Sequence, residues 1–132
     1  MNDSFRMRIL VVDDDIDVAD ALAELLRLFD MEAEAAYSGK DAIRLVNDWR
    51  PDAIFLDIRM PDLDGFDTAK AIRALPGLEN ISIFALSGWS GPVARAHAEA
   101  HLFTGYLTKP ANLQSILHAL KSVSRGINHN PN

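Results

Sequence analysis

At 132 residues, with a formal net charge of −6 and no cysteine, the chain has the size of one domain. That is too short for a two-domain enzyme, and it leaves no thiol for a disulfide, a nucleophile or a cysteine-bound zinc. Hydrophobic residues at 48% and charged residues at 24% give a globular balance, which excludes a disordered chain, while the acidic excess disfavours nucleic acid and suits cations or basic surfaces. The apolar runs fall far short of the ~20 residues of a membrane helix, and Met1–Arg8 has no signal-like apolar stretch. A cytoplasmic protein with no membrane or nucleic-acid partner is expected.

In chain order, Ile9-Leu10-Val11-Val12 reads as a strand that ends in Asp13-Asp14-Asp15. Residues from about Asp15 to Phe29 carry Val18, Leu22, Leu25, Leu26 and Phe29 at helical spacing, which predicts the first helix. Glu32 to Tyr37, charged at alternate positions, predicts an edge strand. A second helix from about Gly39 places Ala42, Leu45, Val46 and Trp49 on one face, and Arg50-Pro51 stops it. Ala53-Ile54-Phe55-Leu56, apolar throughout and ending in Asp57, reads as a central strand covered on both faces.

A loop with Pro61 and Gly65 leads to a short third helix marked by Phe66, Ala69, Ile72 and Arg73. Ile81 to Leu86 predicts strand four, and Ser87 to Pro92 a turn into an alanine-rich fourth helix up to about Ala100. Leu102 to Leu107 predicts strand five. A fifth helix, about Asn112 to Val123, follows with Leu113, Ile116, Leu117, Leu120 and Val123 inward. The polar tail 124–132 is expected to fray, leaving a single domain over 1–132 with its core at about 8–123.

Five strand-helix units predict a parallel sheet with helices on both faces and right-handed crossovers. Ligands in such sheets bind at the carboxyl ends of the strands, where strand order reverses. There the sequence puts Asp13 and Asp14 after strand one, Asp57 at the end of strand three, Ser87 after strand four and Lys109 after strand five. If strands one and three are neighbours, three carboxylates converge and repel, and a bound cation resolves the repulsion. An all-oxygen donor set with room for water suits Mg²⁺. With Lys109 beside it, such a site can stabilise a phosphoryl group arriving on a carboxylate, and the Ser87 hydroxyl can donate to one phosphoryl oxygen.

Val11-Val12-Asp13-Asp14-Asp15, Asp57-Ile58-Arg59-Met60-Pro61-Asp62-Leu63-Asp64-Gly65, Ala85-Leu86-Ser87-Gly88 and Tyr106-Leu107-Thr108-Lys109-Pro110 together resemble a response-regulator receiver domain. The likeness runs from about Arg8 to Val123. It implies the flavodoxin-like (βα)5 three-layer sandwich, an α/β fold with a parallel five-stranded sheet of order 2-1-3-4-5. It further implies that Asp57 is the phosphoacceptor, taking its phosphoryl group from a histidine kinase or histidine phosphotransfer protein. Mg²⁺ would be held by Asp14, Asp57 and the backbone carbonyl of Arg59, with Asp13 acting through water. Ser87 and Lys109 would hold the phosphoryl oxygens, and Lys109-Pro110 would be cis. Ser87 and Tyr106 would form the switch that reshapes the surface of the fourth helix, fifth strand and fifth helix.

Three departures from the family pattern stand out. Serine replaces the more frequent threonine at 87, Ala100-His101-Leu102 stands where a glycine usually opens strand five, and Arg59 and Trp89 occupy the two rim positions that tune phosphoryl lifetime. No segment reads as an output domain, so the signal is expected to leave by protein contact or onward transfer, from a monomer or weak homodimer.

Taken singly, the motifs have blander readings. Asp15 and Asp17 suit a helix start, Ser87 a turn, Lys109 a solvated charge and Tyr106 core packing. Asp13-x-Asp15-x-Asp17 lacks the glycine of a calcium loop, Ser38-Gly39-Lys40 lacks the rest of a phosphate loop, and His97 and His101 lack a third zinc ligand. The main alternative is a Mg²⁺-dependent phosphohydrolase of the haloacid-dehalogenase type with Asp13 as acceptor, though Asp17 departs from its motif and Asp57 goes unused. A phosphorylation-independent interaction module is the third reading.

Overall fold

The computed structural model describes residues 6–88 and 101–123. In chain order its elements are β1 (Arg8–Val12), α1 (Ile16–Leu28), β2 (Glu32–Ala36), α2 (Gly39–Trp49), β3 (Ala53–Asp57), α3 (Gly65–Arg73), β4 (Ser82–Ser87), β5 (Gly105–Thr108) and α4 (Leu113–Leu120). The strands form one parallel sheet in the order β2-β1-β3-β4-β5, the expected flavodoxin-like order. The predicted helix that ends near Ala100, with Trp89, and the predicted frayed tail lie outside the described residues.

Alternate side chains of each strand enter two cores. On one face Leu10, Val12, Ile54, Leu56 and Ile83 pack under α2 and α3 through Val46 and Ile72. On the other, Ile9, Val11, Phe55, Phe84 and Leu107 pack under α1 and α4 through Leu26 and Ile116. All five residues of β3 are buried, so the reading of an apolar run as a central, doubly covered strand holds.

Each described helix starts where a side chain caps it. Asp15, Ser38, Asp64 and Asn112 accept from the backbone N–H three residues on, which satisfies one of the helix's orphan donors. Asp15 and Asp17 are thus helix-start residues, and Ser38 opens α2 without belonging to a phosphate loop.

Several element boundaries differ from expectation, most of them by a single residue. The first helix buries Ala19, Ala23 and Leu26, whereas Val18 is 42% and Phe29 46% exposed. Small alanines let the helix axis lie close to the sheet, and the larger residues are turned onto its flank. β2 stops at Ala36, and the exposed Tyr37 donates its hydroxyl hydrogen to Asp20 instead of extending the strand.

The fifth strand begins at Gly105, not Leu102. His101 adopts the left-handed conformation, φ 69°, where a glycine would be at ease, and Phe103 turns inward to meet Phe66 edge-on at 5.5 Å. The apolar signal at 102–103 therefore comes from a core plug before the strand. At the other end, α4 closes at Leu120, and a tighter turn carries the chain to Val123 through Ser122 N–H to Ala119 and Val123 N–H to Leu120.

Gly65 lets α3 start against the end of β3. A Cβ there would lie 2.4 Å from the Ile58 Cα and 2.7 Å from the Asp57 carbonyl oxygen, both backbone atoms that cannot swing aside. Gly65→Ala should therefore lower stability by about 1–3 kcal/mol, the usual range for overpacking, as read by urea unfolding. An unchanged midpoint would mean that α3 can shift freely.

Candidate functional site

The backbone places the acidic residues before any side chain is considered. The Asp13 N–H donates to the Ala36 carbonyl at 3.1 Å, extending the β1–β2 ladder by one residue. Asp57 is the last residue of β3, and the next N–H, of Ile58, bonds to the Leu86 carbonyl at 3.1 Å. Because β1 and β3 are neighbours in parallel, both chains deliver an aspartate to the same end of the sheet. One oxygen from each of Asp13, Asp14 and Asp57 lies within 4.8 Å of the others. Asp13 and Asp57 are 1% and 3% exposed, and Asp14 faces solvent.

Both buried carboxylates are satisfied in the same way. Asp13 accepts from the Asp15 N–H at 3.0 Å through one oxygen and from the Lys109 ammonium at 3.1 Å through the other. Asp57 accepts from the Arg59 N–H at 3.1 Å, and its second oxygen lies 3.4 Å from Lys109 Nζ. Lys109 is itself fixed through its backbone, whose N–H donates to the Ser87 carbonyl at 2.7 Å, and the Lys109–Pro110 peptide is cis as expected.

Three carboxylates thus face one ammonium. Burial, reinforced by the Asp13 charge, pushes the Asp57 carboxyl up to about 6 from 3.8, and the Arg59 N–H and Lys109 only partly offset it. For Lys109, desolvation acts to lower its pKa, but the Asp13 hydrogen bond and the Asp57 charge outweigh it and the net shift is upward. An oxygen-only donor set with uncompensated negative charge fits a hard divalent cation such as Mg²⁺.

Ser87 ends β4 and is 2% exposed. Tyr106 is half-buried on β5, paired in register with Ala85 and packed on the α2–α3 side of the sheet. Arg59 is exposed at the rim. The structure therefore brings Asp13, Asp14, Asp57 and Lys109 into one cluster, joins Ser87 to it through the backbone, and sets Tyr106 on the strand that leads to Lys109. One contributor went unread in the sequence: the Arg59 N–H, which any residue there would supply.

The sequence model of the response regulator receiver domain matches residues 9–121, and the chain belongs to that family. Its role is that of a receiver in two-component phosphorelay signalling. The chain is 38% identical over 118 residues to the transcriptional regulatory protein PrrA of Mycobacterium tuberculosis, covering 89% of this chain and 50% of that one. It is 35% identical over 107 residues to an uncharacterized 14.6 kDa protein of Leptolyngbya boryana, covering 81% of this chain and 82% of that one. Among solved structures, the chemotaxis protein CheY4 of Vibrio cholerae matches with a TM-score of 0.84 at 29% identity, covering 90% of this chain and 99% of that one. The chain spans about half the length of its PrrA and MprA relatives. No helix among the described residues is long and apolar enough to cross a membrane.

The raised Asp57 value has a stability consequence. A carboxyl whose folded pKa lies above its unfolded one costs nothing below about pH 3.8, and its contribution is lost as pH rises through about 6. Asp57→Asn, neutral throughout, should stabilise the metal-free protein at pH 7 by about 1–3 kcal/mol, a gain that vanishes near pH 3.5. Urea melts in a chelator at both pH values check it, and a gain that persists at low pH would point to packing instead.

Proposed function

We propose that Asp57 is the phosphoacceptor of this receiver. Its carboxylate oxygen forms the new P–O bond as the P–N bond of a phosphohistidine breaks, and the imidazole leaves. The donor is a histidine kinase or a histidine phosphotransfer protein. The observation that carries the reading is the placement of Asp57, buried at the end of the central strand beside the Asp13 carboxylate, with the Lys109 ammonium bridging the two. A carboxyl with a pKa near 6 is mostly ionised at neutral pH and so available as a nucleophile.

Bound Mg²⁺, held by Asp13, Asp14, Asp57 and the Arg59 carbonyl, would supply positive charge to the phosphoryl oxygens. Lys109 pairs with the same oxygens from the other side, and Ser87 donates its hydroxyl to one of them. Drawing Lys109 and Ser87 toward a new dianion pulls on β4 and β5 together, and Tyr106, on β5, turns inward in response. The altered surface of β5 and α4 then meets a partner or passes the group onward. The protein acts as a switch on its own side chain and not on an external substrate, as a single receiver domain over 1–132 in the cytoplasm, a monomer or weak homodimer.

The test is intact-mass spectrometry after incubation with Mg²⁺ and acetyl phosphate. The parent should gain one phosphoryl group, and Asp57→Asn or omission of Mg²⁺ should abolish the gain. Repeated turnover of a phosphate ester that dies with Asp13→Asn would instead establish the phosphohydrolase alternative. No adduct and no beryllofluoride complex would leave an interaction module.

A further inference from the structure

The far end of the sheet holds an unusual cation. Arg73, the last residue of α3, is half-buried, and no carboxylate among the described residues pairs with it. Its guanidinium instead donates to three backbone carbonyls: Leu102 at 2.8 Å, Ile81 at 2.8 Å and Glu79 at 3.0 Å. Two of these belong to the approach to β4 and one to the approach to β5. Desolvation lowers the pKa of the group, a cost that a surface arginine avoids.

The strand beyond this clamp is poorly secured by its own means. β5 has four residues, pairs with β4 alone, starts on a glycine and follows a left-handed histidine. A slip of one residue in β5 would turn Leu107 out of the core and carry Lys109 away from Asp13 and Asp57. Next to the clamp, Thr104 and Ile83 exchange two hydrogen bonds, N–H to carbonyl at 2.7 Å and hydroxyl from N–H at 3.0 Å.

We propose that Arg73 is a positioning residue for phosphorylation: by tying the approaches of β4 and β5 together, it sets the register of β5 and thereby the place of the Lys109 ammonium at the phosphoryl site. The proposal rests on the reading of Asp57 as acceptor. It separates the two halves of the site, because the carboxylates ride on β1 and β3 whereas Lys109 follows directly on β5.

Arg73→Met and, as an independent break of the same anchor, Thr104→Val are compared with the parent in two assays: the rate constant of labelling by acetyl phosphate at saturating Mg²⁺, and Mg²⁺ affinity by calorimetry. Both variants should label at least about fivefold more slowly, as small misplacements of a catalytic group do, with Mg²⁺ affinity no weaker than the parent's, because a displaced Lys109 leaves Asp13 and Asp57 more negative. Arg73→Lys, which keeps a donor to Leu102, should recover part of the rate. Unchanged labelling in both variants, or labelling and Mg²⁺ affinity falling together, would overturn the proposal, the latter by showing general loosening. Should Arg73→Met fail to fold, Thr104→Val and Arg73→Lys carry the same comparison. A parent that takes no label at all would sink the acceptor reading itself, a result separate from any effect of Arg73.

Discussion

The structure turns on one ammonium shared by two buried carboxylates. Asp13 and Asp57, almost without solvent, converge because β1 and β3 are parallel neighbours, and Lys109 from the sheet edge is the charge that holds them. Each carboxylate has one backbone N–H and one contact to Lys109, which is a satisfied arrangement but not a neutral one. With Asp14 at the mouth, the cluster keeps an excess of negative charge, and a buried excess is stable only where something else repays it. In the proposed reading, the same imbalance that weakens the fold in the absence of a cation prepares Asp57 to accept a phosphoryl group.

That constraint explains why the rest of the molecule is built to hold strand ends still. The central strand is buried along its whole length, and Gly65 lets α3 press directly on its last residue. The weak element is β5, at the edge and short, and it is also the one that carries Tyr106 and leads directly into Lys109. A site whose cationic half stands on a less secure strand than its anionic half is suited to a switch, since the two halves can part and rejoin with small movements of one edge.

The strands and the aspartates that end two of them were legible in the sequence because they rest on strong local patterns, whereas the strand order that brings those aspartates together came with the resemblance to receiver domains. An apolar run such as Ala53–Leu56 has few other fates, and an aspartate at the end of each of two such runs fixes where charge must gather. The buried face of α1 was only partly legible: Leu22 and Leu26 of the spaced apolar set pack inward, but large residues dominate a periodicity whereas close packing on a sheet favours Ala19 and Ala23. The start of β5 was misplaced because Phe103 is apolar for reasons of core filling and not of strand pairing. Backbone donors such as the Arg59 N–H leave no trace in the residue type, and the Arg73 clamp depends on three carbonyls drawn from distant segments.

The central claim is that the buried charge of Asp13 and Asp57 makes a divalent-cation site on which the chemistry of Asp57 depends. Calorimetric titration of the full chain with Mg²⁺ at pH 7.5 and again at pH 5 tests it most directly. One saturable Mg²⁺ per chain at the higher pH, weakened strongly at the lower as Asp57 takes up a proton, is the result this account predicts. Binding that is absent at both pH values, or that survives unchanged when Asp13 and Asp14 are both replaced by Asn, would contradict it.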